Sequence, residues 1–287
     1  MAVPHAPLDI QSWLQADGSD LPSLPPVAGE LVALADDPGE ACERLAEVIM
    51  REPVLAGRIL RLVNSAYFGL PHKVTDIRHA VFLTGFRTVR TVILTAATLS
   101  AFRDLELAAF DLTRFWRHSI SAAAVCRTVA KRTEEVDPET AFSLGLLHDI
   151  GKLLLVRYRP EEAEQVIHAA ERGRLSFFQA EQAALPATHP DLGAWLARRW
   201  GLPPVLVAGL AQHHAVPRDD LPPLQAALRF ADYLCTIKGL TASGSCADAA
   251  LDRQTWTALQ LTTADLPPLI NVIDAEIKTA EDLLRNA

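Results

Sequence analysis

The sequence has little that would tie it to an oxidising compartment, a membrane or a nucleic acid. Its four cysteines, Cys42, Cys126, Cys235 and Cys246, form no CxxC pair and no disulfide-framework spacing, which fits a reducing compartment and buried thiols without a catalytic role. No apolar run approaches the roughly 20 residues that span a bilayer. The opening MAVPHAPLDIQSW lacks the basic and apolar regions of a signal peptide, so the expected location is cytoplasmic, with no membrane contact. Positive charge is in deficit, with 27 Lys and Arg against 35 Asp and Glu and a net charge of −8. That balance works against non-specific binding to nucleic acid or anionic lipid and leaves room only for a local basic patch. Low-complexity tracts are absent too. With 49% hydrophobic and 22% charged residues over 287 positions, apolar burial offsets the entropy of ordering the chain, and one large or two smaller packed domains are expected.

Also missing is sustained apolar/polar alternation with β-branched enrichment. Apolar residues instead recur every three to four positions, so the fold class is all-α. Pro53, Pro138, Pro190, Pro204 and Pro223 each precede such a run, where proline suits a first helical turn. A loose tail is expected over residues 1–20, then an N-terminal helical block over 21–110 that opens with LPSLPPVAGELVALA. Within it Leu55, Ile59, Leu62 and Val63 share one face, NSAYFG reads as a helix end and turn, Asp76 as an N-cap, and Gly85 as a divider between two helices. A second block, 111–240, carries most of the histidines. In residues 241–287, TASGSCADAA reads as a linker to a final helix with apolar positions Leu266, Ile270, Ile273, Ile277, Ala280 and Leu284. That stripe suits packing on its own domain or, as the open alternative, a homodimer seam.

The histidines are the chemical question. His118 lies in TRFWRHSISAAAVCRTVAKR, a helix apolar around much of its circumference, and its burial would want a partner. His148 and Asp149 close FSLGLL. Adjacent residues lie about 100° apart on a helix, so both address one centre only near a helix end, and Gly151 permits the turn. His189 precedes a helix that it or Thr188 would cap, His213 and His214 end PPVLVAGLAQHH, and Asp232 sits within the apolar LQAALRFADYLCTIKG. Each histidine alone reads as a surface or core residue. A divalent metal, however, needs three or more N or O donors from different elements, and an aspartate in apolar surroundings is costly to keep ionised without a cation. Mixed N and O donors without thiolate favour Fe, Mn, Co or Zn, one or two ions, over a Cys-rich structural zinc site.

In this order the series His118, His148-Asp149, His189, His213-His214, Asp232 resembles the HD superfamily of metal-dependent phosphohydrolases. The resemblance implies that His118, His148, Asp149 and Asp232 hold a first metal. His189, His213 and His214, with Asp149 bridging, are similar to the second-metal ligands of the cyclic-di-GMP phosphodiesterase branch, HD-GYP. It also implies catalytic roles for Asp149 and for Lys152, the latter beside substrate phosphate. LPSLPPVAGELVAL, IMREPVLAGRILRLVNSAYFG, IRHAVFLTGFRTVRTVIL, FWRHS, GLLHDIGK and RRWGLPP resemble the HDOD family (HD-related output domain) over roughly residues 20 to 240. That resemblance implies a bacterial signal-transduction module that acts through a signalling protein partner, with a nucleotide as a candidate ligand. After His213-His214 the chain reads AVPRDDLPP, so the GYP signature is absent, although every ligand-type position is filled. No receiver domain is read in the sequence, so phosphorylation input is expected from elsewhere. The expectation is a regulatory output module with a retained metal site; the alternative is a metal-dependent phosphohydrolase or phosphodiesterase of a nucleotide or cyclic dinucleotide. NSAYFG and TGFRTVR are read either as partner surface or as helix ends and core contacts.

Overall fold

The computed structural model describes residues 8–15, 20–23, 29, 38–70, 72–133, 135–173, 175–216, 220–241 and 251–286. Among them the chain forms helices and no β-sheet: α1 (Ile10–Leu14), α2 (Pro38–Met50), α3 (Pro53–Val63), α4 (Ile77–Thr84), α5 (Phe86–Ala101), α6 (Leu112–Thr133), α7 (Pro138–Leu147), α8 (Ile150–Tyr158), α9 (Pro160–Gly173), α10 (Phe177–Ala184), α11 (His189–Arg199), α12 (Pro204–Gln212), α13 (Pro223–Ile237), α14 (Arg253–Ala258) and α15 (Leu266–Asn286). The fold is all-α, as expected. All five prolines read as helix starts lie in first turns, those of α3, α7, α11, α12 and α13, where the missing N–H costs nothing. Gly85, at φ 84°, ends α4 and opens α5, and the Asp76 carboxylate accepts the His79 N–H at 3.0 Å to cap α4. No helix of the described residues is long and apolar enough to cross a membrane.

Two groups of buried side chains fill the interior. One joins α2 to α5 through residues such as Leu45, Ile59, Val81 and Ile93; the other fills the space among α6 to α13 with Phe115, Leu144, Leu153, Leu196 and Phe230. They meet along α6 and α7, where the backbones approach so closely that a Cβ on Gly145 would stand 2.7 Å from Ala123 Cα. That intimacy fixes α7, and so the His148-Asp149 turn at its end, rigidly against α6. The NSAYFG turn faces inward. The Asn64 amide donates to the Leu60 and Val74 carbonyls and its oxygen accepts the Val74 N–H, all at 2.7 Å, while the Tyr67 ring meets Phe142 at 5.7 Å.

The 1–20 segment is not a loose tail where it is described: Asp9 caps α1, Leu14 is fully buried, and the Tyr158 hydroxyl donates to the Asp20 carbonyl at 2.7 Å. Five helical residues are too few to register as a period, so periodicity does not reveal them. Of the terminal stripe, Ile273, Ile277 and Ala280 are buried in the protein's own interior and Leu266, Ile270 and Leu284 are half-buried; Leu269, outside the stripe, is buried as well, and α15 packs on α6. Most of LPSLPPVAGELVALA after Ser23, and residues 242–250 of the expected linker, lie outside the described residues.

Candidate metal centre

The answer to the HD doublet lies at a junction of two helices. His148 is the last residue capping α7 and Asp149 the residue opening α8, with φ −97° and ψ 6°. The chain turns between them, so both side chains address one centre. Gly151 makes this possible in a second way: a Cβ there would stand 2.0 Å from the His189 carbonyl oxygen and 2.8 Å from the Gly193 nitrogen. Only a glycine lets α8 cross the start of α11 this closely, which carries His189 up to Asp149. At that start the Asp191 carboxylate accepts both the N–H and the hydroxyl of Thr188, so the cap comes from Thr188 and its capping box rather than from His189. His213 and His214 follow α12, Asp232 is on α13 and His118 on α6.

All seven sequence-predicted ligand positions converge. Asp149, His189, His213 and His214 offer atoms within 4.8 Å of one another, and so do His118, His148 and Asp232. His118, His148, Asp149, His189, His213 and Lys152 are buried; Asp232 keeps 34% of its side chain exposed. The Asp149 carboxylate stands between the groups. Its Oδ1 lies 3.2 Å from His189 Nε2 and 3.9 Å from His213 Nε2, and its Oδ2 lies 3.4 Å from His148 Nε2 and 3.6 Å from His118 Nε2.

Four of the imidazoles are oriented alike. Nδ1 of His118, His148 and His213 contacts the carbonyl of Leu240, Gly145 and Leu210 at 2.8, 2.8 and 2.7 Å, and Nδ1 of His189 contacts Glu181 at 2.5 Å. Carbonyls and carboxylates only accept, so each Nδ1 is the donor and each neutral ring presents a bare Nε2 lone pair. Those lone pairs meet: His118 and His148 Nε2 are 3.1 Å apart, and His189 and His213 Nε2 are also 3.1 Å apart. Two lone pairs cannot bond each other. Something positive must lie between them, either a proton on one ring or a metal ion. Two nitrogens each about 2.1 Å from one tetrahedral ion would stand about 3.4 Å apart, close to the 3.1 Å spacings seen. The buried Asp149 Oδ1 has no hydrogen-bond partner, another unmet demand for a cation. On donor chemistry, burial and orphaned oxygen, the residues fit a divalent ion.

Electrostatics divide the rings into two kinds. Burial pushes His118 and His213 below the ordinary imidazole range, helped by their histidine neighbours, and pushes His214 down to about 3. Burial would also lower His148 and His189, but the carboxylates of Asp149 and of Glu181 respectively override it and raise them. Burial alone would raise Asp149; His148 and Lys152 outweigh it and hold this carboxyl well below its usual value.

Three contributors escape a reading of the sequence. Glu181 is fully buried and accepts both the backbone N–H of His189, at 3.0 Å, and its ring N–H. Phe178 stacks on His214 with ring centres 4.6 Å apart. Arg229 donates to the Ala215 carbonyl at 2.9 Å and pairs with Asp252 at 3.0 Å, holding the turn after His213-His214. Glu181 stands eight residues before His189 in an ordinary helix, a spacing that no ligand motif marks. A cleft of about 160 Å³, lined by His213, His214, Arg229, Asp232, Tyr233 and Thr236 among others, opens the centre on the Asp232 side.

The HDOD domain family matches residues 21–216. An uncharacterized protein of Treponema pallidum (strain Nichols) is 24% identical over 216 residues, a stretch that covers 74% of this chain and 42% of the relative's own length. Among solved structures, an HDOD domain protein of unknown function from Geobacter sulfurreducens superposes with a TM-score of 0.79 at 25% identity, covering 95% of this chain and 97% of that one. A candidate phosphohydrolase from Shewanella amazonensis SB2B superposes with a TM-score of 0.75 at 26% identity, covering 96% and 98%.

Proposed function

This chain belongs to the HDOD family, and from that premise we propose that it is a regulatory module of bacterial signal transduction, built around a divalent metal centre and read out by a protein partner. One observation carries the metal part: four histidines commit Nδ1 to acceptors and aim Nε2 around a buried carboxylate. His118, His148 and Asp232 would hold one ion, and His189, His213 and His214 another, with Asp149 between them. Such ions would supply positive charge joining α6, the α7–α8 junction, α11, α12 and α13. Metal that favours one arrangement of these helices over another would give the module two states for a partner to distinguish. The absent GYP signature supports regulation over cyclic-di-GMP turnover.

The N-terminal helices would carry the partner surface. Phe82 on α4 is 84% exposed and Val54 on α3 is 72% exposed. Residues 50–90 carry seven Lys and Arg against two Asp and Glu, in a chain of net charge −8. An acidic protein segment with apolar anchors would complement that excess of positive charge and those exposed side chains. A polyanionic membrane or nucleic acid meets the repulsion of the whole chain.

A second reading, a metal-dependent phosphohydrolase, is favoured by the cleft and by Lys152, whose Nζ donates to Asp149 Oδ2 at 2.6 Å. The name of the Shewanella relative supports it as well. In that reading a metal held by these residues would supply Lewis-acid charge for phosphate and water, with Asp149 as a ligand and the Lys152 ammonium offsetting phosphate charge. To separate the readings, the metal-loaded protein is followed by melting temperature and by phosphate release from a panel of nucleotides and cyclic dinucleotides. A metal-dependent rise in melting temperature without turnover supports the regulatory module. Turnover that disappears in His148→Ala and Asp149→Ala would transfer the assignment to the hydrolase.

A further inference from the structure

The two oxygens of Asp149 are not equivalent. Oδ1 is buried, has no hydrogen-bond partner and faces His189 and His213. Oδ2, which faces His148 and His118, already accepts from the Lys152 ammonium at 2.6 Å. Lys152 sits one helical turn beyond Asp149, is 8% exposed, and lies 5.0 Å from the centre of the Phe177 ring. Both contacts favour the cation where it stands. The two halves of the centre therefore start from different electrostatics. The His189 half has a free carboxylate oxygen and a second carboxylate, Glu181, behind its ring. The His118 half has Asp232, partly exposed, and an oxygen of Asp149 that is already neutralised.

Resting on the metal-centre reading above, we propose that the two halves load unequally and that Lys152 sets the difference. The half formed by His189, His213, His214 and Asp149 takes the first divalent ion. Lys152 opposes the second ion, at His118, His148 and Asp232, because its ammonium holds the Asp149 oxygen that ion would need and repels a like charge at short range. Lys152 is thus a positioning residue that keeps the centre mononuclear at low metal. Removing its charge converts the centre to one that fills both halves together.

The test is calorimetric titration of the metal-stripped full chain with Mn²⁺, in wild type, Lys152→Met, His213→Ala and His118→Ala, with circular dichroism to check folding and Lys152→Gln as a second charge-free variant. Wild type should take one ion tightly and a second at least about tenfold more weakly, within the usual range of site-to-site coupling. His213→Ala should lose the tight ion, His118→Ala should keep it, and both Lys152 variants should tighten the second by about tenfold. Loss of the tight ion in His118→Ala but not in His213→Ala overturns the order. An unchanged second affinity in both folded Lys152 variants overturns the role of the lysine. Failure of wild type and every variant to bind Mn²⁺ sinks the metal-centre reading itself, a result distinct from either of these.

Discussion

Gly151→Ala offers the sharpest test of why LLHDIGK has this form. The added Cβ would meet the His189 carbonyl oxygen at 2.0 Å, whereas ordinary contact begins at 3.4 Å, so the crossing of α8 over α11 must open by about 1.4 Å. Both neighbours at that point are backbone, His189 and Gly193, so no side chain can swing aside. Overpacking a tight interior costs about 1–3 kcal/mol. A contact this short belongs at the upper end, and about 3 kcal/mol corresponds to a fall of about 5 °C in melting temperature for a chain of this size. The same displacement pulls His189 Nε2 away from Asp149 Oδ1, now 3.2 Å distant, and a loss of about 10- to 100-fold in metal affinity should follow. Differential scanning calorimetry and Mn²⁺ titration read the two effects. Gly57→Ala is the control: its Cβ meets only the end of Arg61, at 3.9 Å, and alanine in a helix interior gains about 0.5–1 kcal/mol. A Gly151→Ala protein with the wild-type melting temperature and full metal affinity would refute the close-crossing argument.

Further predictions concern the histidines and the partner face. Glu181→Gln keeps the shape of the site but removes the charge behind His189, and should weaken metal binding about 10-fold or more, read by competition with a chelating dye; equal affinity would show that Glu181 is not needed there. Metal uptake should release protons and weaken as pH falls, because His148 and His189 hold protons above the ordinary imidazole value and must lose them to ligate; the same heat of binding in buffers of different ionisation enthalpy would contradict this. In the metal-free protein the lowered values of His118, His213 and His214 mean that the unfolded chain binds protons below about pH 6.5 while the folded one does not. Stability should therefore fall between pH 6.5 and 5, by about 1.4 kcal/mol per pH unit for each fully lowered histidine, and a urea midpoint constant over that range would oppose it. Phe82→Glu, on a side chain 84% exposed, should leave stability within about 0.5 kcal/mol yet abolish partner engagement, measured by co-purification with the cognate signalling protein once that protein is in hand.

Much of this architecture is legible from residues that punctuate or repeat. Prolines 53, 138, 190, 204 and 223 mark first turns because their geometry permits little else, and Gly85 separates two helices because its φ of 84° is costly for any other residue. His118, His148, Asp149, His189, His213, His214 and Asp232 are legible as a set through the resemblance of their order to the HD superfamily, whereas their convergence is visible only in the structure. What stays hidden depends on distance through space. Glu181 is one acid among many until the fold brings it to the His189 ring, and α1 is too short to repeat. Lys152 reads as a residue for phosphate, whereas its contact with one particular oxygen of Asp149 emerges only in three dimensions.

The Nε2 atoms around Asp149 are arranged for a cation. Elemental analysis of the untagged protein, purified without chelators beside His148→Ala and Asp149→Ala, tests it most directly. One or two equivalents of Fe, Mn, Co or Zn in the wild type, lost in both variants, is the predicted result. A folded wild-type protein that carries no metal, and takes up none on incubation with each of those ions, would contradict it.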